Sequence, residues 1–201
     1  MPWLGVVLCT TWFFALFVVR SVVQWFRTGS IGMNGFRGRV GSTEWIAGVC
    51  ATAGLVLAPL APFATLFDWP LGVAYFDKPA VHIAGGVIGA LGIAGGVAAQ
   101  LSMGDSWRIG VDSEERTSLV THGLFRYVRN PIFSFIGVSL FGFLLTVPNT
   151  WSLITLLLTG IGIQLQVRCV EEPYLRAVHG VAYEQYATSV GRFLPRLGRQ
   201  A

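Results

Sequence analysis

The chain has 201 residues, of which 53% are hydrophobic and 12% charged, with a formal net charge of +4. The apolar residues gather in runs of about twenty, the length that crosses a bilayer's hydrocarbon core; this marks an all-α, polytopic integral membrane protein and excludes a water-soluble domain. The positive balance requires no nucleic acid, because short cytoplasmic loops collect arginine, helped by anionic lipid at that face.

Runs of this kind cover Leu4 to Phe26, Trp45 to Phe67 and Ala80 to Met103, and a longer apolar tract extends from Ile132 to Val167. Pro148, Asn149 and Thr150 break that tract, which reads as two helices of about 17 residues, at the short end of the spanning range. The reading is therefore five transmembrane helices, the last two forming a C-terminal helical hairpin. Arg20, Arg27, Arg37 and Arg39 flank the first loop, Arg108, Arg116, Arg126 and Arg129 the third, and Arg168, Arg176, Arg192, Arg196 and Arg199 the tail. Five spans with the N-terminus outside place all of these in the cytoplasm. The excess of arginine over lysine hints at a GC-rich genome, so the expected location is a bacterial or archaeal plasma membrane, with the arginine-rich loops facing the cytoplasm.

The first span lacks a basic n-region and a small-x-small cleavage site, so it reads as a retained anchor. It and the second span carry no intramembrane charge and are expected to face lipid and brace the rest. Thr28 to Gly41 is rich in Gly and Arg and reads as a connector. Trp3, Trp25, Trp45 and Trp69 fall near span ends, as interfacial aromatics do. Cys9, Cys50 and Cys169 are odd in number and far apart, which suggests neither a disulfide framework nor a metal site.

In the third span Gly85, Gly89, Gly92 and Gly96 recur at helical spacing and form a small-residue stripe that lets helices approach closely. A dinucleotide loop is disfavoured, since its glycines would have to follow a strand and open a helix. The chain divides here into residues 1–103, three N-terminal transmembrane helices, and residues 104–201, a more polar region of cytoplasmic loop, hairpin and C-terminal segment. The loop from Gly104 to Gly123 begins with Trp107 and Arg108 at the membrane edge. Its acidic trio, Asp112, Glu114 and Glu115, reads as a solvated turn.

Chemistry concentrates in two polar segments. Thr121 to Phe135 reads THGLFRYVRNPIFSF, with Arg126 and Arg129 three apart on the face of one helical turn and Pro131 suited to the start of a helix. The last 34 residues leave the membrane with Glu171 and Glu172 directly after an apolar span, where burying carboxylates is costly. Glu172 and Arg176 are i,i+4 partners, Pro173 is placed to open a new helix, and Gly180 reads as its stop. An amphipathic helix on the cytoplasmic leaflet accounts for Leu175 and Val178 but not for the two glutamates.

Together, His122, Gly123, Phe125, Arg126, Arg129, Asn130, Pro131 and Phe133, then Glu171, Glu172, Leu175, Gly180, Tyr183, Tyr186, Arg192 and Pro195, resemble the paired motifs of an integral membrane methyltransferase superfamily. That superfamily comprises the isoprenylcysteine carboxyl methyltransferases and phospholipid methyltransferases, and the resemblance covers residues 104–197. His179 and Ser189 depart from its pattern, the former where an aromatic is usual and the latter where an arginine is.

The resemblance implies S-adenosylmethionine as methyl donor, in a cytoplasmic pocket formed by His122, Gly123, Arg126, Tyr127, Arg129, Asn130, Pro131, Glu171, Glu172, Tyr183 and Tyr186. Arg126 or Arg129 suits the cofactor's carboxylate, because guanidinium and carboxylate match in a bidentate fashion. Glu171 or Glu172 can accept from the ribose hydroxyls or the amino group, and Tyr183 or Tyr186 can flank the adenine. Alignment of donor and acceptor supplies most of the rate of a methyl transfer; where a base is needed, Glu172 or His122 would serve, with Arg126 beside them.

The partners expected are the lipid bilayer and a lipophilic or small-molecule methyl acceptor, with no metal. Fatty acid, isoprenoid, phospholipid headgroup and small thiol all remain open as acceptors. A large acceptor is expected to set its polar end near Arg126, Glu172 and Trp107 and its tail between the third span and the hairpin, with Ser134 and Gly137 lining the way. The rival readings are an NADPH-dependent sterol-type reductase and a non-catalytic membrane scaffold.

Overall fold

A backbone in lipid has no water to bond with, so each long apolar run closes its hydrogen bonds internally as a helix. The computed structural model describes residues 1–32, 38–72, 74–75, 77–107 and 118–199. Four helices in it are long and apolar enough to cross a membrane: α1 (Pro2–Thr28), α2 (Thr43–Leu66), α3 (Pro79–Met103) and α5 (Thr150–His179). Between the last two lies the shorter apolar helix α4 (Pro131–Thr146), and a polar helix α6 (Val181–Ser189) follows. No extended strand forms among the described residues; two isolated bridges do. The architecture is all-α, and its apolar helices match the five expected spans. Arg37, Arg108, Asp112, Glu114, Glu115 and Arg116, with part of the Gly- and Arg-rich connector, lie outside the described residues.

The starts and stops follow local chemistry. Pro opens α1, α3 and α4, where its missing N–H is harmless. Ser42 caps α2 by accepting from the Trp45 amide at 3.2 Å, and Asn149 caps α5 in a reciprocal box with Ser152. Gly180, at φ +51°, ends α5, as its position in the sequence suggests.

Two small-residue seams hold the bundle. Along α3, Gly85, Gly89 and Gly92 are buried against Gly142, Ser139 and Thr146 of α4, and a Cβ added at Gly92 would stand 2.5 Å from the Ser139 amide nitrogen. A similar seam joins α2 to α5, where Gly54 meets Thr159 and Gly162 meets Ala47 and Ala51. The close approach expected of the glycine stripe is thus made with α4. It closes the α4 flank of the route expected for an acceptor tail between the third span and the hairpin. Gly137 faces open space, and Ser134 bonds backbone carbonyls rather than lining a passage. Leu8, Trp12 and Leu16 of α1 complete the core with Ile93, Ile136, Leu140 and Phe143.

At the end of the bundle away from the Thr121–Phe135 motif, the turn between α4 and α5 is capped. Asn149 donates to the Ala61 carbonyl at 2.8 Å and to the Thr65 hydroxyl at 2.9 Å. Trp151 donates to the Pro70 carbonyl, and the Tyr75 amide to that of Pro148. Buried His82 sits 2.8 Å from both the Thr146 carbonyl and the Asp77 carboxylate.

Two expectations change. The segment at Pro173 does not begin a separate helix: α5 runs on through a π-helical stretch, Gln166–Glu171. Pro173 cannot donate an i→i−4 bond, and widening the preceding turn lets the helix absorb that loss. The first span is not a bare brace either. A second π-helical stretch, Phe14–Val19, precedes Arg20 and Gln24, both buried inside the bundle.

Candidate active site

The Thr121–Phe135 motif does not form one helical turn. His122 is extended, Gly123 takes φ +58°, and a short 3-10 turn spans Gly123–Arg126. A side chain at position 123 would suffer strain at that φ and would press on Ser102 of α3, 2.8 Å from its hydroxyl. Beyond the turn the backbone opens: Asn130 lies at φ −125°, ψ 59° before Pro131 starts α4. Arg126 therefore points outward while Arg129 points inward. The expectation that both share a face fails because a 3-10 turn followed by extended residues does not keep helical spacing.

The extended stretch grips the C-terminal segment. The Arg129 amide donates to the Gly191 carbonyl at 2.8 Å. The Asn130 amide and side chain both donate to the Arg192 carbonyl at 3.1 Å, and Ser134 donates to the Phe193 carbonyl at 2.7 Å. Val128 and Gly191 form a parallel bridge.

Beneath this clasp lies a buried ion cluster. Glu172, 4% exposed, receives both ends of the Arg192 fork, Nε to Oε1 at 2.7 Å and Nη2 to Oε2 at 2.9 Å. Arg129 adds a third bond from Nη2 to Oε1 at 3.0 Å. The remaining reach of Arg129 goes to the carbonyls of Ala187, Val190 and Gly198. Taking these charges out of water is costly, and excellent geometry offsets the cost. The Glu172 hydrogen bond and charge hold the Arg192 guanidinium above its ordinary pKa.

Tyr183, 1% exposed, packs beside the cluster. Burial, with Glu172 adding, pushes its phenol up to about 12. Burial also raises Tyr186, whose hydroxyl donates to the Phe125 carbonyl at 2.6 Å. The two rings meet edge to face with centroids 6.3 Å apart. The helix thus anchors the motif from behind as well.

The open face of this assembly carries His122, Arg126 and Tyr127, all exposed, with the Arg126 guanidinium 4.9 Å above the Tyr127 ring. Glu171 is half-buried next to Glu172. The residues named from sequence thus fall into two sets. Arg129, Asn130, Pro131, Glu172, Tyr183 and Tyr186 form the inner clasp, and His122, Gly123, Arg126, Tyr127 and Glu171 stand nearer the surface. Trp107, expected beside the acceptor's polar end, is 2% exposed and is instead covered by Arg20, its guanidinium 4.7 Å from the ring centroid. Sequence reasoning missed the role of Arg192 as the main partner of Glu172, although the residue lies within the second motif, and it set Arg20 beside the first loop rather than inside the bundle. Among the described residues no group of three or more His, Cys, Asp or Glu is placed to hold a metal ion.

A polar, partly buried cluster at one end of apolar helices suits chemistry at a membrane surface, and comparison with known families agrees. The family model of phospholipid methyltransferases matches residues 80–182, from the start of α3 through the first residues of α6, about half of the chain. No curated protein matches. With α3, the motif, the hairpin and the glutamate pair all inside that match, the chain belongs to the phospholipid methyltransferase family.

Proposed function

We propose that this membrane methyltransferase takes its methyl group from S-adenosylmethionine at the motif end of the bundle and passes it to an amine-bearing membrane lipid. The observation that carries the reading is the split between an inner clasp whose charged ends are engaged by the protein and an open outer face. Every oxygen of Glu172 and both terminal nitrogens of Arg129 are taken up by the protein, whereas the Arg126 guanidinium stands exposed.

Arg126 is accordingly the residue for the cofactor's carboxylate, by the bidentate match of guanidinium and carboxylate. Glu171 would accept from its hydroxyl or amino groups, and Tyr127 and the half-buried edge of Tyr186 offer apolar surface for its base. The inner residues Arg129, Asn130, Glu172 and Tyr183 act by fixing the motif in place. Once bound, S-adenosylmethionine supplies an electrophilic methyl group, and correct alignment of the acceptor is worth several powers of ten. An ammonium headgroup must lose a proton to react, and exposed His122 suits that step better than Glu172, whose carboxylate is engaged by two arginines. The family favours a phospholipid amine; a fatty acid or isoprenoid carboxylate and a small thiol are its competitors. The one-sided arginines support a cytoplasmic location for this end of the protein.

The test is titration calorimetry of the purified protein with S-adenosylmethionine and with NADPH, followed by transfer of labelled methyl groups into phosphatidylethanolamine vesicles. Arg126→Ala should weaken cofactor binding by about 1.5 to 3 kcal/mol, the worth of a hydrogen bond to a charged group. NADPH binding without S-adenosylmethionine binding would overturn the proposal in favour of the reductase.

A further inference from the structure

The buried arginine of α1 lies outside the part of the chain that the family shares, yet it contacts the residues from which the active-site motif departs. An arginine within an apolar span is costly and is by default a sign of function. Arg20 stands eight residues before the end of α1 at Thr28, about 12 Å by helical rise, and is 5% exposed. The preceding π-helical stretch, Phe14–Val19, explains how it comes to point inward: one extra residue in a turn rotates all that follows by about 100°. Gln100 of α3 donates to the Leu16 carbonyl at 2.8 Å, supplying a partner where the widened turn disturbs the helical ladder. Arg20 then donates from Nη2 to the Gly104 carbonyl at 2.6 Å and covers the Trp107 ring. Gly104, at φ +58°, is where α3 ends, and Ser102, two residues earlier, is the residue on which Gly123 rests.

We propose that Arg20 is a positioning residue for methyl transfer: through Gly104 and Trp107 it fixes the end of α3 against which the motif's Gly123 is seated, and hence the placement of His122 and Arg126. It touches neither cofactor nor acceptor. Like Glu172, it directly follows a π-helical stretch, so both elements that brace the motif use the same backbone device to turn a charge inward. The role in catalysis rests on the methyltransferase reading; the structural coupling does not.

The experiment compares wild type, Arg20→Gln, Arg20→Lys and Trp107→Leu in lipid nanodiscs, by S-adenosylmethionine titration and by hydrogen exchange of two peptides, one covering residues 102–107 and the other 118–126. Arg20→Gln and Trp107→Leu should each weaken cofactor affinity by up to about thirtyfold, the size of one cation–π contact out of water, and speed exchange in those peptides. Arg20→Lys, which keeps the charge and a donor for Gly104, should recover most of the affinity, a rescue that a general loss of stability would not produce. Should Arg20→Gln fail to fold, Arg20→Lys and Trp107→Leu carry the comparison. Wild-type affinity and wild-type exchange in the folded variants would overturn the positioning role. A wild-type protein that binds no S-adenosylmethionine would sink the methyltransferase reading instead, and the exchange data would still decide the coupling.

Discussion

Replacing Glu172 by Gln keeps the side chain's shape and one acceptor oxygen but removes the only negative charge shown between Arg129 and Arg192. The side chains of Glu172 and Arg129 are 5% and 2% exposed and that of Arg192 15%, so water cannot take the carboxylate's place. Breaking a buried ion pair by removing one partner costs about 3 to 5 kcal/mol, against a total stability of about 5 to 15 kcal/mol for a folded protein. The loss should first appear where the cluster acts. Arg129 loses its hold on the C-terminal carbonyls, and residues 187–198 come away from the motif before the helices separate. Thermal unfolding in detergent should shift down by several degrees, and protease should cut near Arg192 and Arg196 at temperatures where wild type resists. The double variant Arg129→Gln with Glu172→Gln should cost less than the sum of the two single changes, because Glu172→Gln alone leaves the Arg129 charge buried without its carboxylate and the second change removes that charge. A Glu172→Gln protein with wild-type melting and a protected C-terminal segment would refute the reasoning, and strict additivity would show that the residues do not act as a unit.

Gly92→Leu should lower the melting temperature sharply or prevent folding, since it drives side-chain atoms into the α4 backbone, whereas Gly137→Phe, which meets open space, should melt as wild type does. In a background without Cys9, Cys50 and Cys169, a cysteine at Lys78 should react with an impermeant reagent in intact cells and one at Arg199 should be shielded; the reverse pattern would invert the topology. Tyr183→Phe should remove a phenolate absorbance that wild type develops only near pH 12, because burial and the neighbouring Glu172 hold the proton on; an ionisation near the ordinary pKa of about 10 would mean that the ring is open to water.

The spans and their ends were legible because each is a local matter: apolar length decides what crosses the membrane, and Pro79, Pro131 and Gly180 act on their own turns. The glycine stripe was legible for the same reason, though not its partner helix, which depends on how the hairpin folds back. The two motifs could be named from sequence, but their division into an inner clasp and an outer face could not. Arg129 and Gly191 meet across 62 positions, and no local pattern says which of two arginines turns inward. Arg20 was hidden more thoroughly. Its inward aim depends on a π-helical stretch of apolar residues, FALFVV, whose composition does not distinguish it from ordinary helix.

The pairing of helices along two small-residue seams has a mechanical consequence. Within each pair the backbones already touch, so sliding or parting them would give up close van der Waals packing along the whole seam. Between the pairs, α4 and α5 are joined at one end by their short turn, where Ser152 donates to the Val147 carbonyl, and at the other by the Arg129–Glu172–Arg192 cluster. A bundle built this way yields least resistance along the line between its pairs. A bulky molecule approaching from the side of the membrane would strain two polar fastenings there, rather than a seam of backbone.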